Sequence, residues 1–289
     1  MPNTIAIIQA RMGSSRLPGK VLFDLSGQPM LVRVVERTKR ASCLDGFLVA
    51  TTSKESDDPI EACCLHYGYP FFRGSELDVL DRFYQAAMQE RADVVVRITA
   101  DCPVIDSQVI DRTVAAFREF GADFAANRLP PPWRRTYPIG LDTEVCSYTC
   151  LQKAWHEARE TFHREHVMPF FYEGIPTDAY DLTRDSLVVS PRGFRTLLVN
   201  HVPDFGSLRW TVDTAPDLQF MRKVFAHFEK DDFPWQDLLR LLEQEPDLAK
   251  LNVNETHKTV FDVDARQEIG DAHRDTDDSN MFHQGEKND

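Results

Sequence analysis

The feature that most limits the fold is an alternation of short apolar segments with amphipathic segments of helical period over the first part of the chain. The apolar segments predict strands at Thr4–Gln9, Asp45–Thr52, Pro70–Phe72 and Asp93–Thr99. The amphipathic segments predict helices at Gln28–Arg40, Pro59–Tyr67, Asp78–Glu90 and Ser107–Phe120. Because strands joined through helices run parallel, we expect a three-layer α/β fold with a mostly parallel, doubly wound sheet.

A glycine-punctuated loop, residues 10–20, follows the first predicted strand directly. Its glycines, Gly13 and Gly19, let the backbone approach a ligand closely, and successive N–H groups can bind an anion. The loop also carries three cations, Arg11, Arg16 and Lys20. These features indicate a triphosphate site, and the simpler alternative is an ordinary surface loop with several arginines.

Two familiar phosphate-binding loops do not match this segment. A Walker A loop has four residues between its glycines and a Ser or Thr after its Lys. Here five residues separate Gly13 from Gly19, and Val21 follows Lys20. The G-x-G-x-x-G dinucleotide fingerprint is missing as well. In doubly wound sheets the loops after the strands form the ligand site, so we expect three further segments around the same cleft: Ser53–Lys54, Arg73–Ser75 and Asp101.

Composition restricts the class of protein. The chain has 289 residues and a formal net charge of -13, which argues against nucleic acid as a partner but allows a local cationic pocket for a nucleotide. No apolar run approaches the roughly 20 residues of a membrane span, and the N-terminus lacks the features of a signal peptide. The six cysteines match no common zinc pattern. We therefore expect a cytoplasmic protein with reduced thiols that does not contact a membrane.

The pattern changes after Ala122. Residues 127–202 lie outside the α/β alternation, with a strand-like segment at Tyr137–Val145 and a helical segment at Leu151–Tyr172 that Pro169 interrupts. We interpret residues 127–202 as an insertion that covers the cleft or pairs two subunits.

The alternation returns near the end of the chain. Leu208–Asp213 predicts a strand, Pro216–Phe228 a helix capped by Thr214 or Asp213, and Trp235–Gln244 a last helix. We therefore expect one domain over residues 1–253 and a tail over 254–289. Residues 271–289 carry six acids against two cations, a composition that predicts disorder.

Six segments resemble the sugar-acid cytidylyltransferases, which include the 3-deoxy-manno-octulosonate and acylneuraminate enzymes. They are IIQARMGSSRLPGKVL at the opening, RGSELDVLDRFYQAA from Arg73, VVRITADCPVID from Val95, YPIGLDTEV from Tyr137, HREHVMPFFY from His163 and LRWTVDTAPDL from Leu208. The GLDTEV and REHV motifs are particular to the branch called spore-coat polysaccharide biosynthesis protein F. Cys102 also matches that branch, whereas octulosonate enzymes carry an acid there, which weakens the transfer of octulosonate as substrate.

The resemblance implies a nucleotidyltransferase variant of the GT-A fold, CTP as donor and Mg²⁺ as the metal ion. It implies transfer of CMP to an acidic sugar or similar small acceptor, release of pyrophosphate, a role in surface polysaccharide precursor synthesis, and a homodimer. The residues that it assigns to the nucleotide are Ala10, Arg11, Gly13, Ser14, Arg16, Lys20, Arg73, Gly74, Ser75, Asp78 and Asp101.

Two aspartates, Asp101 and Asp213, resemble the family's metal ligands, and together with Arg11 and Lys20 they make up the predicted catalytic set. Oxygen ligands from one or two carboxylates plus phosphate are what Mg²⁺ prefers. The simpler alternatives are a turn residue for Asp101 and a helix N-cap for Asp213.

Four residues of the insertion match positions that face the acceptor in the family: Asp142, Glu144, Arg164 and His166. His166 is a candidate to accept a proton from the acceptor hydroxyl, and a structural histidine is the alternative. The HREH sequence matches neither H-E-x-x-H nor H-x-x-E-H, so we discount a metal site there.

Two other functions stay open. A nucleotide-sugar-dependent glycosyltransferase on the same fold usually has a D-x-D motif, which the sequence Ala100-Asp101-Cys102-Pro103 lacks. A non-catalytic nucleotide-binding protein is disfavoured because a degenerate homologue would more often have lost one member of the set Arg11, Arg16, Lys20, Asp101 and Asp213. The cytidylyltransferase hypothesis therefore comes first.

Overall fold

The computed structural model describes residues 2–129, 134–228 and 230–255. Its strands are Thr4–Gln9 (β1), Gly46–Thr52 (β2), Phe71–Gly74 (β3), Val94–Thr99 (β4), Phe124–Ala126 (β5), Arg128–Leu129 (β6), Arg134–Arg135 (β7), Glu144–Ser147 (β8), Ser186–Val189 (β9) and Arg195–Leu198 (β10). Its α-helices are Met30–Thr38 (α1), Asp58–Tyr67 (α2), Val79–Gln89 (α3), Ser107–Glu119 (α4), Tyr148–Glu157 (α5), Thr161–His166 (α6), Pro169–Tyr172 (α7), Ala215–His227 (α8), Trp235–Gln244 (α9) and Pro246–Ala249 (α10). Short 3₁₀ turns cover Lys20–Leu22 and Glu55–Asp57.

Eight of these strands form one sheet in the order β3-β2-β1-β4-β8-β5-β10-β9. The neighbours among β3, β2, β1 and β4 pair in parallel, as do β5 and β10, whereas β8 and β9 run antiparallel to their neighbours. The sheet is therefore mostly parallel, which confirms the predicted α/β class. The strands β6 and β7 form a separate antiparallel pair.

Two apolar cores cover the two faces of the sheet because side chains alternate along each strand. On β1, Ala6 and Ile8 pack into the core that contains α1, α4, α8 and α9. Ile5 and Ile7 point the other way, into the core that contains α3, α5 and α7. This two-sided burial explains the almost unbroken apolar run at the start of the chain.

Three predicted elements differ from those observed. The strand-like segment Tyr137–Val145 forms a strand only from Glu144, because Gly140, at a φ of 106°, turns the chain before it. The helical segment Leu151–Tyr172 is three separate helices, α5, α6 and α7, interrupted where Ala158 adopts an extended conformation and Val167 a positive φ.

The third difference is that Leu208–Asp213 is not a strand and has only an isolated bridge from Arg209 to Ile139. Its backbone pairs with two different loops, since Trp210 N donates to Ile139 O and Val212 N donates to Asp101 O. Because its backbone partners lie in two different loops, the segment forms no continuous strand ladder. The predicted strand is therefore wrong, although the segment does return to the edge of the sheet.

The region from 127 to 202, predicted to be an insertion outside the alternation, contributes to the main sheet. It supplies β8, β9 and β10, and its helices α5 and α7 cover one face. Trp133 and the proline-rich stretch before it, like most of the predicted tail, lie outside the described residues. Within the described ranges, no helix has the length and apolar character needed to cross a bilayer.

Candidate active site

A cavity of about 230 Å³ opens where β1 and β4 end. Its lining comes mainly from the ends of these strands, from the loop after β1 and from two aspartates: Gln9, Arg11, Gly13, Ser14, Ser15, Arg16, Lys20, Val21, Arg97, Thr99, Ala100, Asp101 and Asp213. The structure thus brings together the predicted catalytic residues and most of the predicted nucleotide-binding loop. Ala10 lies just behind the lining, buried, with its N–H donated to Ala50 O.

A buried acid holds the cationic loop, residues 10–20, in place. Asp57, which is 1% exposed, accepts hydrogen bonds from Met12 N at 2.8 Å and from Thr52 N at 3.2 Å. The loop closes on itself where Gly19 N donates to Met12 O at 2.9 Å. Gly19 has a φ of 75°, a conformation that glycine adopts without the penalty paid by other residues. The backbone position of the cations in and after this loop is therefore well defined.

Asp101 and Asp213 converge on one amine. Lys20 Nζ donates to Asp101 Oδ2 at 2.9 Å, to Asp213 Oδ1 at 2.8 Å and to the carbonyl of Val212 at 2.7 Å. The two carboxylates are hence separated by less than the sum of two hydrogen-bond lengths, although 112 positions separate them in the sequence. An ammonium has three N–H donors, so all of them are used here.

Asp213 is held in place by an adjacent polar cluster. Arg16 Nη2 lies 3.1 Å and Arg209 Nη2 3.0 Å from its Oδ2. The fully buried Asp217 accepts from Arg209 Nε at 2.9 Å and from the backbone N–H of Asp213 at 3.0 Å, and Asn252 donates to the same carboxylate at 2.9 Å. Asp217 also forms a reciprocal capping box with Thr214, which makes Thr214 the N-cap of α8. Asp213 therefore does not cap the helix, and its carboxylate lines the cleft.

The charges in this cluster shift one another's protonation. Burial disfavours the ammonium of Lys20, but Asp101 and Asp213 outweigh that effect and raise its pKa. Burial disfavours the carboxylate of Asp101 as well, yet Lys20 lowers its pKa to about 2. The pKa of Asp213 is also lowered, because Lys20 and Arg16 outweigh burial and the negative charge of Asp101. All three groups are charged at neutral pH.

The donor set fits a magnesium ion in its chemistry. Asp101 and Asp213 present hard oxygen ligands toward one point, and Mg²⁺ is commonly bound by one or two carboxylates with phosphates and water completing the shell. Within the described ranges, no group of three or more His, Cys, Asp or Glu side chains is arranged to hold a metal ion. The described part of the chain thus supplies two carboxylates at most, and the point where they meet is taken by Lys20 Nζ.

The cavity floor contains a polar pair that the sequence reasoning missed. Arg97, in the centre of the sheet, donates to Gln9 Oε1 through Nε at 3.1 Å and Nη2 at 2.9 Å, and its Nη1 bonds to Glu144. Because Arg97 occupies the amide oxygen, the amide nitrogen of Gln9 is the group left to donate to a ligand. The signal was present in the sequence, since a charged residue interrupts the apolar run VVRIT.

Three of the four predicted acceptor residues already form ion pairs, Asp142 and Glu144 with arginines and Arg164 with Asp78. Asp142 contacts Arg135 Nη1 at 3.0 Å and Arg128 Nη1 at 3.4 Å. Arg164 instead bonds to Asp78, a predicted nucleotide-binding residue that also caps α3 by accepting from Asp81 N at 2.9 Å. None of the four predicted acceptor residues is in the lining of this cavity, and Asp78 is absent from it as well.

His166 is subject to the positive charges of Arg97 and Arg128. Its Nε2 is buried and has no hydrogen-bond partner in the described part of the chain. Burial, together with the positive charges of Arg97 and Arg128, lowers its pKa to about 4. The imidazole is therefore neutral at pH 7, the form that can accept a proton.

Three other predicted nucleotide-binding residues lie at the end of β3, away from the cavity lining. Arg73 donates to Thr52 O at 2.8 Å and forms an ion pair with Asp58 at 2.8 Å. Gly74 packs so closely that an added Cβ would lie 2.8 Å from the ring of Phe72. The carbonyl of Ser75 accepts from the buried guanidinium of Arg82 at 2.5 Å.

Two relatives match this chain over almost their whole length. The chain is 33% identical over 263 residues to an uncharacterized protein of Methanocaldococcus jannaschii, covering 90% of this chain and 98% of that one. It is 32% identical to the spore coat polysaccharide biosynthesis protein SpsF of Bacillus subtilis, over 86% of this chain and 98% of that one. The similarity therefore includes both aspartates and residues 127–202.

A solved structure agrees with them. The structure of a cytidylyltransferase from Leptospira borgpetersenii matches with a TM-score of 0.76 and 28% identity, covering 89% of this chain and 100% of that one. The family model described as cytidylyltransferase matches residues 5–253. The sheet, the cation-lined cleft and these matches together show that the chain is a nucleotidyltransferase of the cytidylyltransferase family.

Proposed function

We propose that this protein transfers CMP from CTP to an acidic sugar or similar small acceptor, with Mg²⁺ and with release of pyrophosphate. The observation that carries the proposal is the cleft in which Arg11, Arg16 and Lys20 face Asp101 and Asp213. Attack on the α-phosphorus of a nucleoside triphosphate requires positioning and charge neutralisation more than covalent help from the protein. This cleft offers fixed charges of both signs for that task.

The cations act on the leaving group. Arg11 and Arg16, both in the glycine-containing loop, neutralise the β- and γ-phosphates and the pyrophosphate that departs. Gly13 and Ser14 line the same cavity and bring backbone N–H groups to the phosphates. Each of these donors is held in advance by the closed loop, so little reorganisation is needed during the reaction.

The carboxylates act at the α-phosphate. Asp101 and Asp213 would hold Mg²⁺, which when bound supplies positive charge to the phosphate oxygens. Arg209 and Asp217 keep Asp213 oriented through their hydrogen bonds to its carboxylate and backbone. The protein's part is thus to hold two oxygen ligands at one point while the surrounding arginines balance their charge.

The acceptor enters beside Arg97, which lines the cavity. Arg97 and the amide nitrogen of Gln9 suit an acidic group of the acceptor, since both are donors. Neutral His166 accepts the proton of the attacking hydroxyl. Asp142 holds Arg128 in position, and Glu144 holds Arg97, each through an ion pair.

The biological setting is part of the same proposal. The similarity to a spore coat polysaccharide protein, over 98% of that protein's length, favours precursor synthesis for a surface polysaccharide or glycoconjugate. We place the enzyme in the cytoplasm, where CTP is made, and propose that it works as a homodimer built by residues 127–202.

A pyrophosphate-release assay tests the function. The protein is incubated with Mg²⁺ and each of the four nucleoside triphosphates, against a panel of acidic sugars and phosphonates. We expect release with CTP and only in the presence of an accepted acid. Equal release with UTP or ATP would contradict the cytidylyl assignment, and no release with any combination would contradict the proposed function as a whole.

A further inference from the structure

The carboxylate pair of the active site is already neutralised by cations of the chain itself. Lys20 bridges Asp101 and Asp213, and its side chain is only 10% exposed. Arg16 and Arg209 donate to the second oxygen of Asp213. An incoming divalent cation therefore meets a site whose negative charge is balanced and whose central position is filled.

Displacing the ammonium without a replacement partner is unfavourable. Lys20 Nζ would lose three oxygen acceptors at 2.7–2.9 Å, and a largely buried charge deprived of its partners is strongly destabilising. A triphosphate changes this balance, because its anionic oxygens offer the ammonium new acceptors in the same cavity. Arg11 and Arg16 line that cavity beside Lys20 and would bring the phosphates within its reach.

The local structure allows the side chain to move while the backbone stays fixed. The backbone before Lys20 is held by the hydrogen bond from Gly19 N to Met12 O at 2.9 Å. Lys20 itself begins the 3₁₀ turn Lys20–Leu22. Its ammonium sits on a flexible four-carbon stem, unlike the planar and rigid fork of an arginine.

We propose that Lys20 makes the Asp101–Asp213 pair selective for a divalent cation that arrives together with a triphosphate, and closes the pair to the free cation. The inference rests on the proposed function, and it assigns Lys20 a second role besides phosphate binding. The occupied position keeps the two carboxylates together between turnovers and keeps uncomplexed cations out.

Binding of Mn²⁺ without turnover tests this inference. The free Mn²⁺ signal in electron paramagnetic resonance is titrated with wild type, Lys20→Met and Lys39→Met, without nucleotide. We expect Lys20→Met to bind Mn²⁺ roughly tenfold more tightly than wild type, a coupling of ordinary size. Lys39→Met is the matched control for the lost charge, since Lys39 is exposed and pairs with Glu36, and it should behave as wild type. Adding the non-hydrolysable α,β-methylene analogue of CTP should raise the Mn²⁺ affinity of wild type.

Further variants assign the site. Asp101→Asn introduced into Lys20→Met should abolish the gained affinity, and Lys20→Gln provides a second neutral variant whose fold is checked by circular dichroism. Equal Mn²⁺ affinity of wild type and both neutral variants without nucleotide would overturn the inference. Failure of this inference can be told apart from failure of the proposed function. If wild type releases pyrophosphate but the Lys20 variants bind Mn²⁺ no more tightly than wild type, only this inference is wrong. If the Lys20 variants gain Mn²⁺ affinity but wild type does not turn over CTP, only the proposed function is wrong.

Discussion

At the scale of single residues, Asp101 and Asp213 are the groups on which turnover should depend most. Asp101→Asn and Asp213→Asn each keep the side-chain shape and remove one negative charge that the transition state requires. We expect turnover to fall by roughly 10²-fold or more, as for loss of one electrostatic stabiliser, with a smaller effect on stability. Steady-state kinetics and urea unfolding measure the two quantities. Asp247→Asn is the control, because that side chain is 93% exposed, and it should keep wild-type turnover.

Asp217 is a positioning residue. Its place in the sequence makes it a first-turn acid of α8 whose removal should leave turnover within several-fold, but the structure buries it completely against Arg209, Asn252 and the backbone of Asp213. Asp217→Asn should lower the free energy of unfolding by about 2 kcal/mol, because the buried guanidinium of Arg209 loses one of its carboxylate partners and keeps Asp213. It should also raise the Mg²⁺ concentration that gives half-maximal turnover, which a purely structural loss would not change.

The pH dependence of this effect has a definite sign. Burial disfavours the Asp217 carboxylate, but hydrogen bonds from Arg209 and Asn252 outweigh it and lower the pKa. A lowered pKa in the folded state means that its stabilisation is complete above the unfolded value, about 3.9, and is lost as the pH falls through the folded value. Urea unfolding at several pH values should therefore show the difference between wild type and Asp217→Asn shrinking below roughly pH 4. A difference that grows on acidification would contradict this role.

The residues of the site divide into those that sequence reasoning reaches and those that it does not. Arg11, Arg16 and Lys20 were predicted from the pattern of a cationic glycine-containing loop, whereas Asp101 and Asp213 were predicted as metal ligands from the resemblance to the sugar-acid cytidylyltransferases. The role of Lys20 as a bridge between the aspartates was not, since it depends on where a flexible side chain turns. Pairings over long distances in the sequence, such as Arg97 with Glu144, leave no local pattern either.

At the scale of elements, the segment 208–213 depends on a glycine in another loop. Gly140 has a φ of 106°, and an added Cβ would lie 2.5 Å from the carbonyl carbon of Trp210. Gly140→Ala should therefore push this segment and Asp213 away from Asp101. We expect a loss of about 2 kcal/mol or more in the free energy of unfolding, together with reduced turnover.

A second glycine separates the effect of the positive φ from the effect of the close packing. Gly27 has a similar φ of 87° but no atom within 4 Å of an added Cβ. Gly27→Ala therefore measures the cost of the positive φ alone. If the two variants lose the same stability and turnover, the close packing of Gly140 does not position the segment.

The elements themselves were predictable to different degrees. The strands and helices before Ala122 were placed within a few residues, because each has a clear period and a clear polar boundary. The segment 208–213 was wrongly predicted as a strand, since its apolar residues suit a strand while its partners are loops. The contribution of residues 127–202 to the sheet could not be read from the sequence, because short strands such as β8 and β10 have only four residues each.

At the scale of the whole molecule, we expect a homodimer built by residues 127–202. The described residues of this region include two large, exposed apolar side chains, Val189 at 62% on the edge strand β9 and Val202 at 69%. Light scattering after size exclusion should give the mass of two chains at micromolar concentration. The double variant Val189→Lys and Val202→Lys should shift the mass toward one chain without changing the circular dichroism spectrum. A wild-type monomer would refute the expectation.

The most direct test of the central claim follows the label position during turnover. CTP labelled with ³²P at the α-phosphate, or separately at the γ-phosphate, is incubated with Mg²⁺, the protein and the acid that supports pyrophosphate release. We predict that the α-label appears in the acid conjugate and the γ-label in pyrophosphate, and that Asp101→Asn loses both. An α-label that stays in CMP or CDP, or a γ-label that reaches the acid, would show hydrolysis or phosphoryl transfer and contradict the assignment of this cleft as a cytidylyl-transfer site.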